Sequence, residues 1–169
     1  MDPRWHLSHA RGYLELDMLA EAAAELAALP EERQFEPEIL TLRITLYQKQ
    51  QQWPKLRTAS EELARQRPQD AGAWIIWAYA TRRAHSLEAA EKILIDAKRL
   101  HPKDPTIAFN LGCYRCQQGD LQAARVLVDE AIALDEQFRE LAATDPDLIP
   151  LREGKPPAAP QRRLRQKSP

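Results

Sequence analysis

Apolar residues recur along most of this chain at i, i+3, i+4 and i+7, the spacing that lines one face of a helix. Ala73, Trp74, Trp77, Ala78 and Thr81 form one stripe, and Leu87, Ala90, Ile93, Leu94, Ala97 and Leu100 form the next. His85-Ser86 interrupts the two, with Ser86 placed to cap the second helix. Pro102 closes the pair, because proline cannot continue the helical hydrogen-bond ladder. The plan then repeats. Asp104-Pro105 offers an N-cap residue followed by proline at the first helical position. Ala108, Leu111, Gly112 and Arg115 make a stripe, Gly119-Asp120 makes a turn, and Leu121, Ala124, Val128, Ala131, Ile132 and Leu134 make the second helix face.

A step of 34 residues relates the two pairs. It separates Pro68 from Pro102, Asp70 from Asp104, Leu87 from Leu121, Ala90 from Ala124 and Leu100 from Leu134. A fixed period of this size marks stacked helix–turn–helix units, none of which can bury its apolar face alone. Upstream the pattern loosens. Between residues 37 and 70, Leu40, Ile44 and Tyr47 mark a first helix, and Trp53-Pro54 opens a second that carries Leu56, Leu63 and Ala64. Between residues 3 and 36, Ala10, Tyr13, Leu19, Ala22, Leu26 and Leu29 sketch another pair, and Glu31 to Glu36 reads as a lengthened connection. After Leu134, Phe138, Leu141 and Ala142 suggest a short helix that Asp145-Pro146 ends. Leu148, Ile149 and Leu151 are then expected to fold back over the last pair.

The motifs Trp74-x-x-Trp77-Ala78, Ala90-x-x-x-Leu94 and Pro102, with Leu111-Gly112, Gly119-Asp120 and Ala124-x-x-x-Val128, resemble the tetratricopeptide repeat. The resemblance spans residues 3–151. It implies an all-α, right-handed αα superhelix (a TPR solenoid) of about four repeats, at 3–36, 37–70, 71–104 and 105–136, with a capping helix in 137–151. Small residues at Ala78 or Gly112 and at Ala90 or Ala124 would let paired helices approach closely. In the 37–70 repeat, Arg43 and Leu56 replace the usual leucine and alanine.

The resemblance also implies a role: a non-enzymatic interaction module or adaptor that binds a peptide or partner protein in a concave groove lined by the first helix of each pair. The residues expected there are Arg11, Thr45, Gln48, Ile75, Ile76, Tyr79, Arg82, Arg83, Phe109, Asn110 and Cys113. Their mixture of apolar, aromatic, guanidinium and amide groups suits a partner with apolar anchors and some acidic character. Two alternatives share this architecture: a small assembly or secretion chaperone, and a self-associating structural subunit. The chain is expected to be a monomer or a weakly associating homodimer.

Composition narrows the rest. Of 169 residues, 44% are hydrophobic and 29% charged, a globular balance. No apolar run approaches the roughly 20 residues that cross a bilayer. Met1 to Leu14 lacks the apolar core of a signal peptide. A soluble, cytoplasmic protein without a membrane partner is expected. The net charge of −1 conceals an asymmetry, because residues from Arg152 onward carry six basic groups and one acidic group. Residues 152–169 read as a disordered, basic, proline-rich tail. With no aromatic residues interleaved there, the tail argues against sequence-specific nucleic-acid recognition.

Cys113-x-x-Cys116 places two thiols near one helix face. A redox pair gains reactivity at a helix N-terminus, whereas this pair lies near a helix end, and a structural zinc needs four ligands. Structural or groove-lining thiols are the better reading. His6 and His9 also share a face, and no serine sits in a nucleophile elbow. No catalytic, metal or cofactor site is expected.

Overall fold

The computed structural model describes residues 3–157, and among them the regular structure is helical throughout. Four helical hairpins follow one another: α1 (Pro3–Glu15) with α2 (Leu19–Ala27), α3 (Pro37–Lys49) with α4 (Trp53–Gln66), α5 (Ala71–Ala84) with α6 (Leu87–Leu100), and α7 (Pro105–Gln117) with α8 (Leu121–Leu134). First helices begin at residues 3, 37, 71 and 105, and second helices at 19, 53, 87 and 121. Each start lies 34 residues after its counterpart, so the sequence period is carried directly by the backbone.

Local chemistry explains the starts. Proline occupies the first turn of α3 and α4, where its missing N–H costs nothing. The side chains of Asp70, Ser86, Asp104 and Asp120 accept hydrogen bonds from the N–H groups of Ala73, Ala89, Ile107 and Ala123 at 3.0–3.3 Å. Each satisfies one of the orphan donors that open a helix. Counterpart positions upstream lack this device: Met18, Glu36 and Gln52 make no side-chain cap. The turns inside the first, second and fourth hairpins pass through left-handed backbone at Asp17 (φ 59°), Gln51 (φ 54°) and Gly119 (φ 87°), whereas the third turns through His85 at φ −138°. Only glycine takes the left-handed conformation without cost.

The chain divides into two compact units between Ile107 and Ala108. In the first, α4 packs closely on α5, while α1 and α2 each meet α3 more lightly. Two apolar clusters hold this unit. One gathers Leu7, Ala10, Leu14, Ala22, Leu26 and Leu46, and the other Leu40, Ile44, Leu56, Leu63, Ala73 and Ala80. Helix α3 contributes to both, with Tyr47 packed against each.

In the second unit α7 and α8 approach closely at Gly112. A Cβ on Gly112 would come within 2.8 Å of Val128 Cγ2 and 3.2 Å of the Ala124 carbonyl oxygen. Helix α9 (Phe138–Thr144), a 3-10 turn (Pro146–Leu148) and α10 (Ile149–Glu153) follow. Leu148 and Leu151 are buried as expected, but Ile149 and Leu141 remain exposed. Gln117 Nε2 donates to the Asp147 carbonyl at 2.7 Å, tying α7 to this cap. The expected tail begins later than proposed, because Arg152 and Glu153 complete α10. Arg152 donates to the carbonyls of Ala142 and Asp145 at 3.0 and 2.8 Å, a packing role rather than a free charge. The basic run Arg162, Arg163, Arg165 and Lys167 lies outside the described residues.

Candidate functional site

The residues expected to line a groove divide by their surroundings. Gln48 is exposed on α3. Ile75, Ile76 and Arg82 on α5, with Thr45 on α3, are half-buried, and Ile76 packs against the second apolar cluster. The Thr45 hydroxyl donates to the Thr41 carbonyl at 3.1 Å. Arg11 is exposed but already paired, its Nη2 lying 2.9 Å from Glu38 Oε1. Asn110 is half-buried in the second unit.

Tyr79 and Arg83 are exposed and also make contacts within the chain. Both reach Trp53, which opens α4. The Tyr79 ring meets the indole edge-on, with centroids 5.8 Å apart and planes at 85°. The Arg83 guanidinium carbon stands 4.8 Å from the indole centroid. The two side chains thus fasten α5 to α4 through aromatic and cation–π contact. Tyr79 keeps 40% exposure beside this fastening.

Phe109 and Cys113 require a firmer correction. They are only 5% and 3% exposed, too buried to meet a partner at the surface. Phe109 meets Phe138 of α9 in a tilted contact, centroids 5.2 Å apart and planes at 52°, which depends on the added terminal helix and not on the repeat period. Cys116 is buried as well, and burial pushes its thiol above the usual range. That keeps the group protonated, the opposite of what a thiolate nucleophile needs.

His6 and His9 face a common acceptor across the first hairpin. His6 Nδ1 lies 2.6 Å from Glu25 Oε2, and His9 Nδ1 lies 3.5 Å from Glu25 Oε1. The hydrogen bond with His6 holds the Glu25 carboxyl below the usual glutamate range. Among the described residues no group of three or more histidine, cysteine or acidic side chains could hold a metal ion.

A feature outside the expected groove lies on the second hairpin. An open cleft of about 320 Å³ is bounded by Phe35, Leu40, Tyr47, Pro54 and Ala59, with Arg43 in its wall. A neighbouring cleft of about 250 Å³, between α2 and the same hairpin, shares Arg43, Tyr47 and Lys55 and adds Gln50 and Gln52. The Arg43 Nε is buried without a hydrogen-bond partner, and so is Gln52 Oε1. At the other end of the guanidinium, Arg43 Nη2 donates a long hydrogen bond to the Leu26 carbonyl at 3.5 Å. Lys55 Nζ sits 5.6 Å from the Tyr47 ring centroid at the rim. The sequence signal was the arginine at a position expected to hold leucine. Its meaning required knowing which residue faces it.

These hairpins define the class of fold, an all-α, tetratricopeptide-like helical repeat. A solved structure described as the MamA RS-1 ArsTM double mutant resembles it with a TM-score of 0.72 over 80% of this chain and 76% of that one. The two sequences are 17% identical, so the likeness concerns the fold. No family model matches the sequence, and no curated protein matches it. Among the described residues no helix is long and apolar enough to cross a membrane.

Proposed function

We propose that the chain is a non-enzymatic protein-interaction module whose partner docks along the first helices of its N-terminal hairpins. The observation that carries the reading is the repeat architecture itself, which uses most large apolar side chains for stacking and leaves a mixed surface on α3 and α5. Gln48, Ile75, Arg82 and the exposed part of Tyr79 make up that surface. Aromatic and arginine groups of this kind anchor protein interfaces. Arg11 and Thr45 would bind only by exchanging their present partners, so they rank lower than the period alone suggested. The two cysteines, the nearest approach to nucleophilic chemistry, are buried thiols.

The test is affinity capture with identification of bound proteins, run with wild type and with Gln48→Glu plus Arg82→Glu. Loss of specific partners with unchanged helical content supports the reading. Identical capture by a folded double variant rejects it.

Self-association is a second reading with its own observation. Trp5, Leu16 and Met18 expose large apolar groups at the N-terminal hairpin. Sedimentation should then show a mass that rises with concentration and falls back with Trp5→Ser.

A further inference from the structure

The geometry points to a second binding site, the cleft of the α3–α4 hairpin, which takes a peptide segment of a partner protein carrying an apolar side chain beside a carboxylate. The argument begins with the 34-residue register. Arg43 stands where the later hairpins place Trp77 and Leu111 and where the first places His9. The residue at the matching position of the paired helix is Ile93 in the third hairpin and Leu127 in the fourth. There the pairing is apolar on both sides. In the first hairpin it is Glu25, which His9 approaches at 3.5 Å. In the second hairpin it is Ala59, which offers neither bulk nor charge.

Arg43 therefore has the position of a core residue, the charge of a ligand-binding residue, and a methyl group where its counterpart should be. The 320 Å³ cleft is the space left over, bounded by both Arg43 and Ala59. A buried guanidinium donor without an acceptor is costly to leave unmade. A carboxylate entering the cleft would supply what Glu25 supplies to His9. Lys55 at the rim adds a second positive charge. Glu62 also borders the cleft and accepts from Gln66 Nε2 at 2.7 Å; its single negative charge opposes the incoming carboxylate against the two positive charges of Arg43 and Lys55.

The apolar half of the ligand follows from Phe35, Leu40, Tyr47 and Pro54. Phe35 is 61% exposed at the mouth, on the lengthened connection before α3. A volume of this size accommodates a large side chain rather than a folded surface. A peptide is favoured over a small organic acid by one further group. Gln52 Oε1, in the adjoining cleft, is a buried acceptor with no donor. A peptide brings backbone N–H groups to satisfy it, whereas a simple carboxylic acid brings none. This site lies apart from the α3–α5 surface proposed above and stands or falls separately from it.

The test uses the full chain and an array of amidated hexapeptides in which a fixed phenylalanine or leucine is followed by glutamate, glutamine or alanine. Binding is read by fluorescence polarisation. The glutamate peptides should bind best, and Arg43→Leu should weaken them roughly tenfold or more, the usual scale for losing a charge-assisted hydrogen bond. Leucine is the residue the register expects at 43, so this variant should fold, as circular dichroism will verify. Lys55→Gln and Phe35→Ser, both at exposed positions, should each weaken binding by a smaller factor. Gln48→Glu plus Arg82→Glu should leave it unchanged. Equal binding of glutamine and glutamate peptides would overturn the assignment, as would affinities unmoved by all three cleft variants. Failure of every peptide to bind would overturn it too, and displacement by free 3-phenylpropionate at the peptide's own affinity would replace the peptide with a small acid.

Discussion

The second and fourth hairpins carry the same period and solve the same packing problem in opposite ways. In α7–α8 the close approach is between small groups, Gly112 against Ala124 and Val128, and the space is full. In α3–α4 the same register holds Ile44 and Leu56, both buried, and a cleft opens beside them. The fourth hairpin also has capping aspartates at both helix starts and glycine at its left-handed turn, while the second has Glu36, Gln52 and Gln51 at those places. The lesson is that a repeat can hold its backbone spacing while giving up local consistency, and the hairpin that gives it up is the one with an unsatisfied arginine Nε and open space.

The largest expected effect tests whether Leu56 props the second hairpin or merely fills it. Leu56 is fully buried, and Leu56→Ala should cost about 2–5 kcal/mol if its neighbours cannot close around the gap. Urea unfolding measures this. A loss well under about 1 kcal/mol would mean the helices collapse together, making the second hairpin equivalent to the others. The converse substitution is Ala124→Leu, which imports the bulky arrangement into the fourth hairpin. With Gly112 already in tight contact it should destabilise by about 1–3 kcal/mol through overpacking. Tolerance of that leucine would show that bulk alone does not open a cleft.

Caps come next. Ser86→Ala should remove about 1 kcal/mol from the third hairpin, and Gln52→Asp should add a comparable amount to the second, where no cap exists. Paired thermal melts of the two variants decide the matter. Opposite shifts confirm that the N-terminal hairpins are held by packing with little help from capping. Shifts of the same sign would break the contrast.

How much of this the sequence disclosed depends on the kind of information. Helix starts were legible because prolines, Asp70, Ser86, Asp104 and Asp120 act locally, within three residues. The burial of Phe109 was not, because it depends on Phe138, outside the repeating pattern. Nor was the engagement of Tyr79 and Arg83, since periodicity assigns a residue to a helix face but says little about how far a long side chain leans toward its neighbour. Trp53 intercepts both. The cleft was half legible: Arg43 and Leu56 broke the pattern visibly, but the pairing of Arg43 with Ala59 appears only when two helices are set side by side.

The smallest effect concerns the first hairpin, which answers a polar residue at the Arg43 position with Glu25. Because His6 holds the Glu25 carboxyl below its ordinary value of 4.5, the folded state binds that proton less readily than the unfolded chain does. Glu25 then contributes stability that is fully present above the ordinary value and is lost as pH falls through the lowered one. Glu25→Gln should therefore unfold at lower urea than wild type near pH 6 and at the same urea below the lowered value, where both side chains are neutral. Half-buried pairs with water still at hand contribute little, so the difference should be the smallest of the series. A gap between the two proteins that persists unchanged into strong acid would show that Glu25 acts by packing and not by charge. The parallel between His9 with its carboxylate and Arg43 without one would then lose its electrostatic basis.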